Sequence, residues 1–566
     1  MFPALHRRLL SLLVVALLSL SGIQADLPST RDEFLRIDRV WDLEMELPRG
    51  AWEAMEPRPI RPPQRRPRPD SDFGPSGPEA PGPDWNRPPE DRPGQEGQPP
   101  EGREGSFPRG PGGIPPDGFD FPWSTGKVTV GGVVFTNVGV RFKGNSSFNG
   151  SRGSLKRPFK LDFDRHVPGR TLAGLEELFL NNNANDPSQL RESLAYSAFA
   201  KAGAPAPRTT GMRVWLRRGE AEPRLYLGLY TGVEPVEGDF LKRQLGSKRG
   251  LLTKPERVRG LEYLGNHWAA YASRYETRST VRTSDTRRFM QLLQDLEDST
   301  DAIFQETLKR DVDVDGFLRF VAVNAWLANY DSFLGNGHNY YLFLPSEGRL
   351  RFIAWDLNEA FGRHPMAGPA LEQAAFSILR PAVPPNAVLE RLLNQPEWRD
   401  RYRALVETLV RDGGPCSTQS LLADLAILQK TRSEALAAEP RWGSGNGPGS
   451  GPGGRPGAGP GHERPTLVRP GGGLPEPEPR GEHEGRRPRS GPMFDTTPLE
   501  DWILERHRLV RAELDGHRTA TLPRLRMGGP GPRPSRPFTS PPTGGPDPFP
   551  RHLSDGPPGP GTPQRP

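Results

Sequence analysis

Three long stretches of this chain cannot form a packed core, and they decide how much of it is left to fold. From Arg58 to Pro116, from Arg441 to Pro492 and from Gly528 to the C-terminus, proline, glycine, arginine and glutamate alternate with no period of 2 or 3.6. Ordering such segments would cost ~1 to 2 kcal/mol per residue in backbone entropy with little apolar surface to bury in return. We therefore expect 58–116 and 441–492 to be disordered insertions and 528–566 a disordered tail. The apolar residues gather instead in blocks at 128–142, 171–245 and 312–362, enough for one sizeable domain.

The first residues, "MFPALHRRLLSLLVVALLSLSGIQADLP", pair basic Arg7 and Arg8 with an apolar run from Leu9 to Leu20 and small residues before Asp26. This is the pattern of a signal peptide over 1–25, cut after Ala25, and the run falls short of the ~20 residues a membrane span needs. The expected location is secreted, periplasmic or cell-surface, with no transmembrane span in the mature chain. Cys416 is the single cysteine, which excludes an intramolecular disulfide and a cysteine-based zinc site. Export without disulfides fits a bacterial envelope better than a small secreted scaffold. The formal charge of +6 rests on an arginine excess, with ten lysines among 75 basic residues, so it does not argue for a nucleic-acid partner.

Between the excluded stretches the patterning is regular. "VWDLEMEL" at 40–47 alternates like a strand, "AWEAME" reads as a short helix, and 127–144 reads as a hairpin turned at Gly131 and Gly132. "KRPFKLDFD" continues that sheet. Asp186 to Ala202 opens with an Asp/Pro helix start and carries Leu190, Leu194, Ala195 and Ala198 on one face, a helix expected to pack on the sheet. A second hairpin follows over 211–236, and the chain turns helical from Ser284 to Trp326. Strands first and helices later indicate α+β.

Chemistry concentrates in "DSFLGNGHNYYLFLPSEGRLRFIAWDLNEAFG", 331–362. An apolar helix ending near Trp326 delivers Asp331 to a loop, glycines permit tight turns, and a strand pair over 340–355 returns Asp356 toward Asp331. Phosphoryl transfer needs one carboxylate to orient a hydroxyl and other oxygen ligands to hold Mg²⁺ on the nucleotide phosphates. Asp331, an asparagine at 336 or 339, and Asp356 offer that set, and spacing alone leaves the two asparagines open. The plain alternative is that both aspartates serve turns or caps. His338 reads as a hydrogen-bonded structural histidine, with a base or ligand role as the rival. Lys143, Lys156 and Lys160 fall on the strand-rich side, where an ammonium suits phosphates, although strand-edge lysines commonly face water.

The ordered blocks "VGVRFKGNSS", "KRPFKLDFD", "LNNNANDPSQLRESLAY", "GAPAPRTTGMRVWL", "GLYTGVEPVE", "LLTKPE", "NYDSFLGNGHNYYLF" and "FIAWDLNEAFG" resemble the spore coat protein H (CotH) kinase family over 127–362, with weaker similarity at 36–56 and 494–515. The resemblance implies an atypical, two-lobed protein-kinase-like fold that uses ATP with Mg²⁺ or Mn²⁺ to phosphorylate serine or threonine of exported or surface proteins. Carried over by motif, Asp331 is the catalytic aspartate, Asn339 and Asp356 are metal ligands, Lys160 is the phosphate-binding lysine, Glu192 is its partner, and Glu234 lies where a nucleotide-binding strand or hinge belongs. The implied domain runs over 117–440, with 26–57 and a C-terminal helix within 493–527 joined to it. The family's usual "WDLD" is "WDLN" here, with Asn358 where a second carboxylate is common. The alternative reading is therefore a catalytically silent relative acting as an envelope or surface interaction module.

Overall fold

The computed structural model describes residues 27–59, 119–440 and 497–526. The expectations for the signal peptide, the two insertions and the tail concern residues that lie almost wholly outside these. The described residues fall in one compact unit of mixed helices and strands, an α+β fold. No helix among them is long and apolar enough to cross a membrane.

Thirteen strands are described: β1 Val40–Leu47, β2 Arg58–Pro59, β3 Phe119–Asp120, β4 Ser124–Val130, β5 Val133–Phe142, β6 Phe159–Asp162, β7 Glu177–Asn181, β8 Thr209–Arg218, β9 Leu225–Val233, β10 Gly250–Pro255, β11 Tyr275–Thr277, β12 Tyr340–Pro345 and β13 Arg351–Ala354. Seven close into a barrel in the order β1-β4-β5-β6-β7-β9-β8, and four form a separate sheet in the order β11-β10-β12-β13. Closure runs through β1, which pairs antiparallel with β4 and parallel with β8, Asp42 lying opposite Arg213. Alternation supplies the barrel filling. Leu43, Met45 and Leu47 of β1 point inward with Val128, Val140, Phe142, Leu161, Leu180 and Val214, all buried. The β4–β5 turn falls at Gly131 and Gly132, whose φ values of +52° and +82° are cheap only without a Cβ.

A second core is built by helices. Thr283–Glu297, Asp301–Asp311 and Val314–Trp326 follow one another, and the last is buried on almost every side. The helix expected over 186–202 spans Arg191–Lys201, so Asp186 lies before it and accepts the Arg191 N–H at 2.8 Å. Its apolar residues Leu194, Ala195 and Phe199 join the helical core rather than the barrel interior. The hydrophobic face fixed the helix but not which of the two cores it would enter.

Arg506, on the helix Leu499–Leu514, fastens the C-terminal part of the chain to this core. It is fully buried and donates to four carbonyls: Trp326 at 3.1 Å, Ala325 at 2.7 Å, Ala374 at 2.8 Å and Phe376 at 2.5 Å. Trp326 is an orphan acceptor at the end of the helix that leads to Asp331, and Ala325 there also accepts the Ala328 N–H at 3.2 Å. Replacing Arg506 with methionine keeps bulk and strands the Trp326, Ala374 and Phe376 carbonyls, so urea unfolding is expected to register a loss of roughly 3 kcal/mol or more. An unchanged denaturation midpoint would contradict this account of the clamp.

Candidate active site

The helix Val314–Trp326 ends in a left-handed residue, Ala328, at φ +46°, and the next turn presents Asp331. Two glycines make the following loop fit. A Cβ on Gly335 would lie 2.0 Å from the Tyr330 carbonyl oxygen, and one on Gly337 would lie 2.4 Å from that of Val258. With the loop folded this tightly, both asparagines left open by the spacing reach the same carboxylate. Asn336 Nδ2 donates to Asp331 Oδ1 at 2.8 Å, and Asn339 Nδ2 donates to Oδ2 at 2.7 Å and to the Asp331 carbonyl at 2.9 Å. Each carboxylate oxygen thus has its own amide donor.

The hairpin closes the site as its pattern promised. Tyr340 of β12 pairs with Ala354 of β13, and the Trp355 N–H donates to the Asn339 carbonyl at 3.2 Å, so Asp356 emerges beside the Asp331 loop. Asn339 and Asp356 both hold positive φ, +56° and +50°. Such conformations cost on the order of 1 kcal/mol or more in non-glycine residues and persist only where surroundings enforce them. One enforcing contact is the Asp356 N–H, which donates to the Tyr196 hydroxyl at 3.0 Å.

Tyr196 stands one helical turn after Glu192, and that helix brings Glu192 into the group. Glu192 is 3% exposed and accepts from Asn181 Nδ2 at 2.8 and 3.0 Å, while Asn181 Oδ1 accepts from Lys143 Nζ. Burial, then the Asp356 charge, push the Glu192 carboxyl up to about 8 against the pull of Asn181 and Lys143. Burial likewise raises Asp356, opposed by Lys143 and reinforced by Asp331. Lys143 is pushed down by burial and held up by Asp356 and Glu192.

Lys160 has other partners. It lies opposite Arg141 and Phe179 in the β5-β6-β7 register, its ammonium 2.5 Å from Glu177 and 3.9 Å from Glu237. The lysine in the field of Glu192 and Asp356 is Lys143, just past the end of β5. Glu234 is also elsewhere: fully buried, it accepts the Arg208 N–H at 3.3 Å and pairs with Arg31 at 3.4 Å and with Arg243. Two arginines and an amide occupy this carboxylate. The structure thus brings together Asp331, Asn339, Asp356 and Glu192, and leaves Lys160 and Glu234 in separate ion pairs.

Two residues at the site went unread in the sequence. Glu359 and His364 lie with Asp331 so that one ligand atom of each falls within 4.8 Å of the others, and His364 Nδ1 lies 2.5 Å from Glu359 Oε2. Burial raises the Glu359 carboxyl, His364 opposes, and the charges of Asp331 and Asp356 add to the rise. The loop that folds them back turns through Phe361 and Gly362, at φ +59° and +70°. The "FG" after "WDLNEA" was the available signal for that turn. Carboxylate oxygens with one imidazole suit a hard divalent ion such as Mg²⁺ or Mn²⁺, and the mutual repulsion of Asp331, Asp356 and Glu359 is what such an ion would relieve. The donor set therefore fits a metal.

Residues 140–413 match the family described as CotH kinase protein. Inner spore coat protein H of Bacillus subtilis (strain 168) is 25% identical over 267 residues, covering 45% of this chain and 68% of that protein. The match takes in every residue of the carboxylate group.

The Glu192 shift has a stability consequence. Its folded value of about 8 exceeds the ordinary 4.5, so between those values the folded chain holds a proton that the unfolded chain has lost. The contribution is full below pH 4.5 and disappears as pH rises through about 8. Glu192→Gln, which stays neutral, should become progressively more stable than the parent, and melt higher, as pH rises over that window, the stability difference reaching a few kcal/mol at its upper end. A constant offset between the two melting curves would overturn the burial account. With the site described, the sequence comparison can be placed on it: residues 140–413, which carry the carboxylate group, are similar to the CotH kinase protein family.

Proposed function

We propose that this protein is a metal-dependent phosphotransferase that moves the γ-phosphoryl group of ATP to serine or threonine of an exported or surface protein. The observation that carries this reading is the two-handed grip of Asn336 and Asn339 on Asp331, beside Asp356 and Glu359. A turn-forming aspartate needs no such setting, whereas a carboxylate that must meet a substrate hydroxyl in one orientation does.

In this reading the barrel forms the nucleotide lobe and the helical core the acceptor lobe of a kinase-like domain, assembled from 26–57, 117–440 and 493–527. Asp356 and Glu359, with His364 or an asparagine oxygen, would hold Mg²⁺ or Mn²⁺, which supplies charge neutralisation at the phosphates. Lys143, neutralised by no carboxylate within ion-pair distance among the described residues, faces the phosphates from the barrel side and takes the part expected of Lys160. Glu192 and Asn181 hold Lys143 in place. Asp331 accepts the proton of the acceptor hydroxyl as its oxygen bonds to the γ-phosphorus and the bond to the β-phosphate oxygen breaks, releasing ADP. The nearby Glu359 supplies a carboxylate where "WDLN" lacks one, which favours an active enzyme over a silent interaction module. The signal-like first residues support action outside the cytoplasm.

The test uses the mature chain, γ-labelled ATP, Mg²⁺ or Mn²⁺, and dephosphorylated casein beside an extract of exported proteins as acceptors. Label should pass to serine or threonine. Asp331→Asn should slow transfer by roughly 10² to 10⁴-fold while ATP still binds, the usual size of a lost general base. Asp356→Ala should abolish transfer and weaken metal-dependent ATP binding. If both variants transfer label at the parent rate, neither carboxylate has the assigned role. Label transferred from the α-position instead would identify a nucleotidyl transferase.

A further inference from the structure

Within electrostatic range of both Lys143 and Asp356 is a cation that the proposed chemistry has not used. Lys254 lies on β10, which pairs Thr253 with Leu342 of β12, in the sheet whose β12–β13 hairpin carries Asp356 at its end. Its side chain is mostly buried, 19% exposed, and Glu256 Oε1 accepts from the ammonium at 2.8 Å. Glu256 is its single hydrogen-bond acceptor among the described residues, so an ammonium with three donors retains two. The other oxygen of Glu256 lies 2.7 Å from His338 Nδ1. His338 directly precedes Asn339, whose amide grips Asp331.

This connection is reinforced by the backbone. The Val258 N–H donates to the Gly337 carbonyl at 3.0 Å, and the Tyr340 hydroxyl donates to the Val258 carbonyl at 3.0 Å. The segment leaving β10 is therefore stitched to the Asp331 loop at three points: His338, Gly337 and Tyr340. Whatever Lys254 touches is held at a fixed distance from Asp331. Burial would lower the Lys254 ammonium, but Glu256 more than offsets it and keeps the charge in place. Burial would raise Glu256, and His338 with Lys254 bring it instead down to about 2.

The surroundings call for an anion. The Lys254 charge acts on both Asp356 and Lys143, so it stands within range of the carboxylate group and of the barrel-side cation. Arg141 of β5, two positions before Lys143, has its Nε buried without a hydrogen-bond partner among the described residues; burial lowers its guanidinium, Glu177 opposes, and Arg278 adds repulsion. Like charges gathered from the barrel and from the sheet, with spare donors on both, form two halves of a site for a polyanion.

Resting on the phosphotransferase reading above, we propose that Lys254 contacts the phosphoryl group in transfer as a second cation beside Lys143, and that Glu256 and His338 are positioning residues that tie it to the Asp331 loop. Negative charge spreads over the equatorial phosphoryl oxygens during transfer. A cation locked to the acceptor-orienting aspartate would serve that moment more than ground-state binding of the nucleotide.

The experiment measures three quantities on the full chain: Mg²⁺·ATP and Mg²⁺·ADP affinity by calorimetry, single-turnover transfer to casein, and melting temperature. Lys254→Met should leave ADP affinity within about threefold of the parent, weaken ATP up to about tenfold, and slow transfer roughly 10² to 10³-fold, the scale of one lost transition-state donor. Glu256→Gln, retaining Lys254, should slow transfer about tenfold with ATP affinity unchanged, a split that general loosening of the fold would not produce. If Lys254→Met melts below the assay temperature, Lys254→Arg replaces it and should retain ATP affinity while slowing transfer. Transfer at the parent rate in the tested Lys254 variant, or equal weakening of ADP and ATP, overturns the assignment and leaves the wider reading standing. A parent that neither binds ATP nor transfers label overturns both.

Discussion

Four carboxylates crowd a small, largely buried volume, and the local structure is organised around keeping them there. Glu192, Asp331, Asp356 and Glu359 come from a helix, a loop and the end of a hairpin, and burial with mutual repulsion raises Glu192, Asp356 and Glu359. Left alone, such a group would take up protons or move apart. Here each member is tied down: Asp331 by Asn336 and Asn339, Glu192 by Asn181, Glu359 by His364, and Asp356 by its backbone bond to Tyr196. Fixing repelling charges is costly for stability alone. It has a rationale if the group receives a cation.

The framework explains why the restraint is possible. The Asp331 loop is pinned at its entry by the helix end that Arg506 caps, and at its exit by β12. The barrel contributes Lys143 and Asn181 from neighbouring strand ends, and a ladder of rings joins it to the helical side: Phe179 to Trp355 at 5.4 Å and Trp355 to Tyr341 at 5.5 Å. Trp355 immediately precedes Asp356, so the same contact that packs barrel against sheet also aims that carboxylate. Edge-on aromatic pairs of this kind contribute about 0.5 to 1.5 kcal/mol each beyond the area they bury.

Much of this was legible in the sequence because it depends on local rules. Alternation revealed β1, the Gly131–Gly132 turn announced its hairpin, and the apolar helix followed by "GNGHN" announced the loop that carries Asp331. The two asparagines competed for one role on spacing alone, while in three dimensions they share the same carboxylate. What escaped was non-local. Lys143 and Lys160 are equivalent in composition and neighbourhood, and only strand register sends one to Asn181 and the other to Glu177. Glu359 and His364 reach Asp331 through a turn of two left-handed residues, and Lys254 reaches the loop through Glu256 and His338, partners some eighty positions apart. Barrel closure by a parallel β1–β8 pair was likewise invisible, since no local pattern encodes a neighbour that distant.

The central claim is that the carboxylate group holds a divalent metal which in turn meets the phosphates of ATP. Mn²⁺ makes this directly observable. Electron–nuclear double resonance on the protein with Mn²⁺ and ATP should give a ³¹P coupling from metal-bound phosphate, and Asp356→Ala should remove that signal from the protein-bound ion. Protein-bound Mn²⁺ with no ³¹P coupling, or a coupling that survives loss of Asp356 unchanged, would contradict the account.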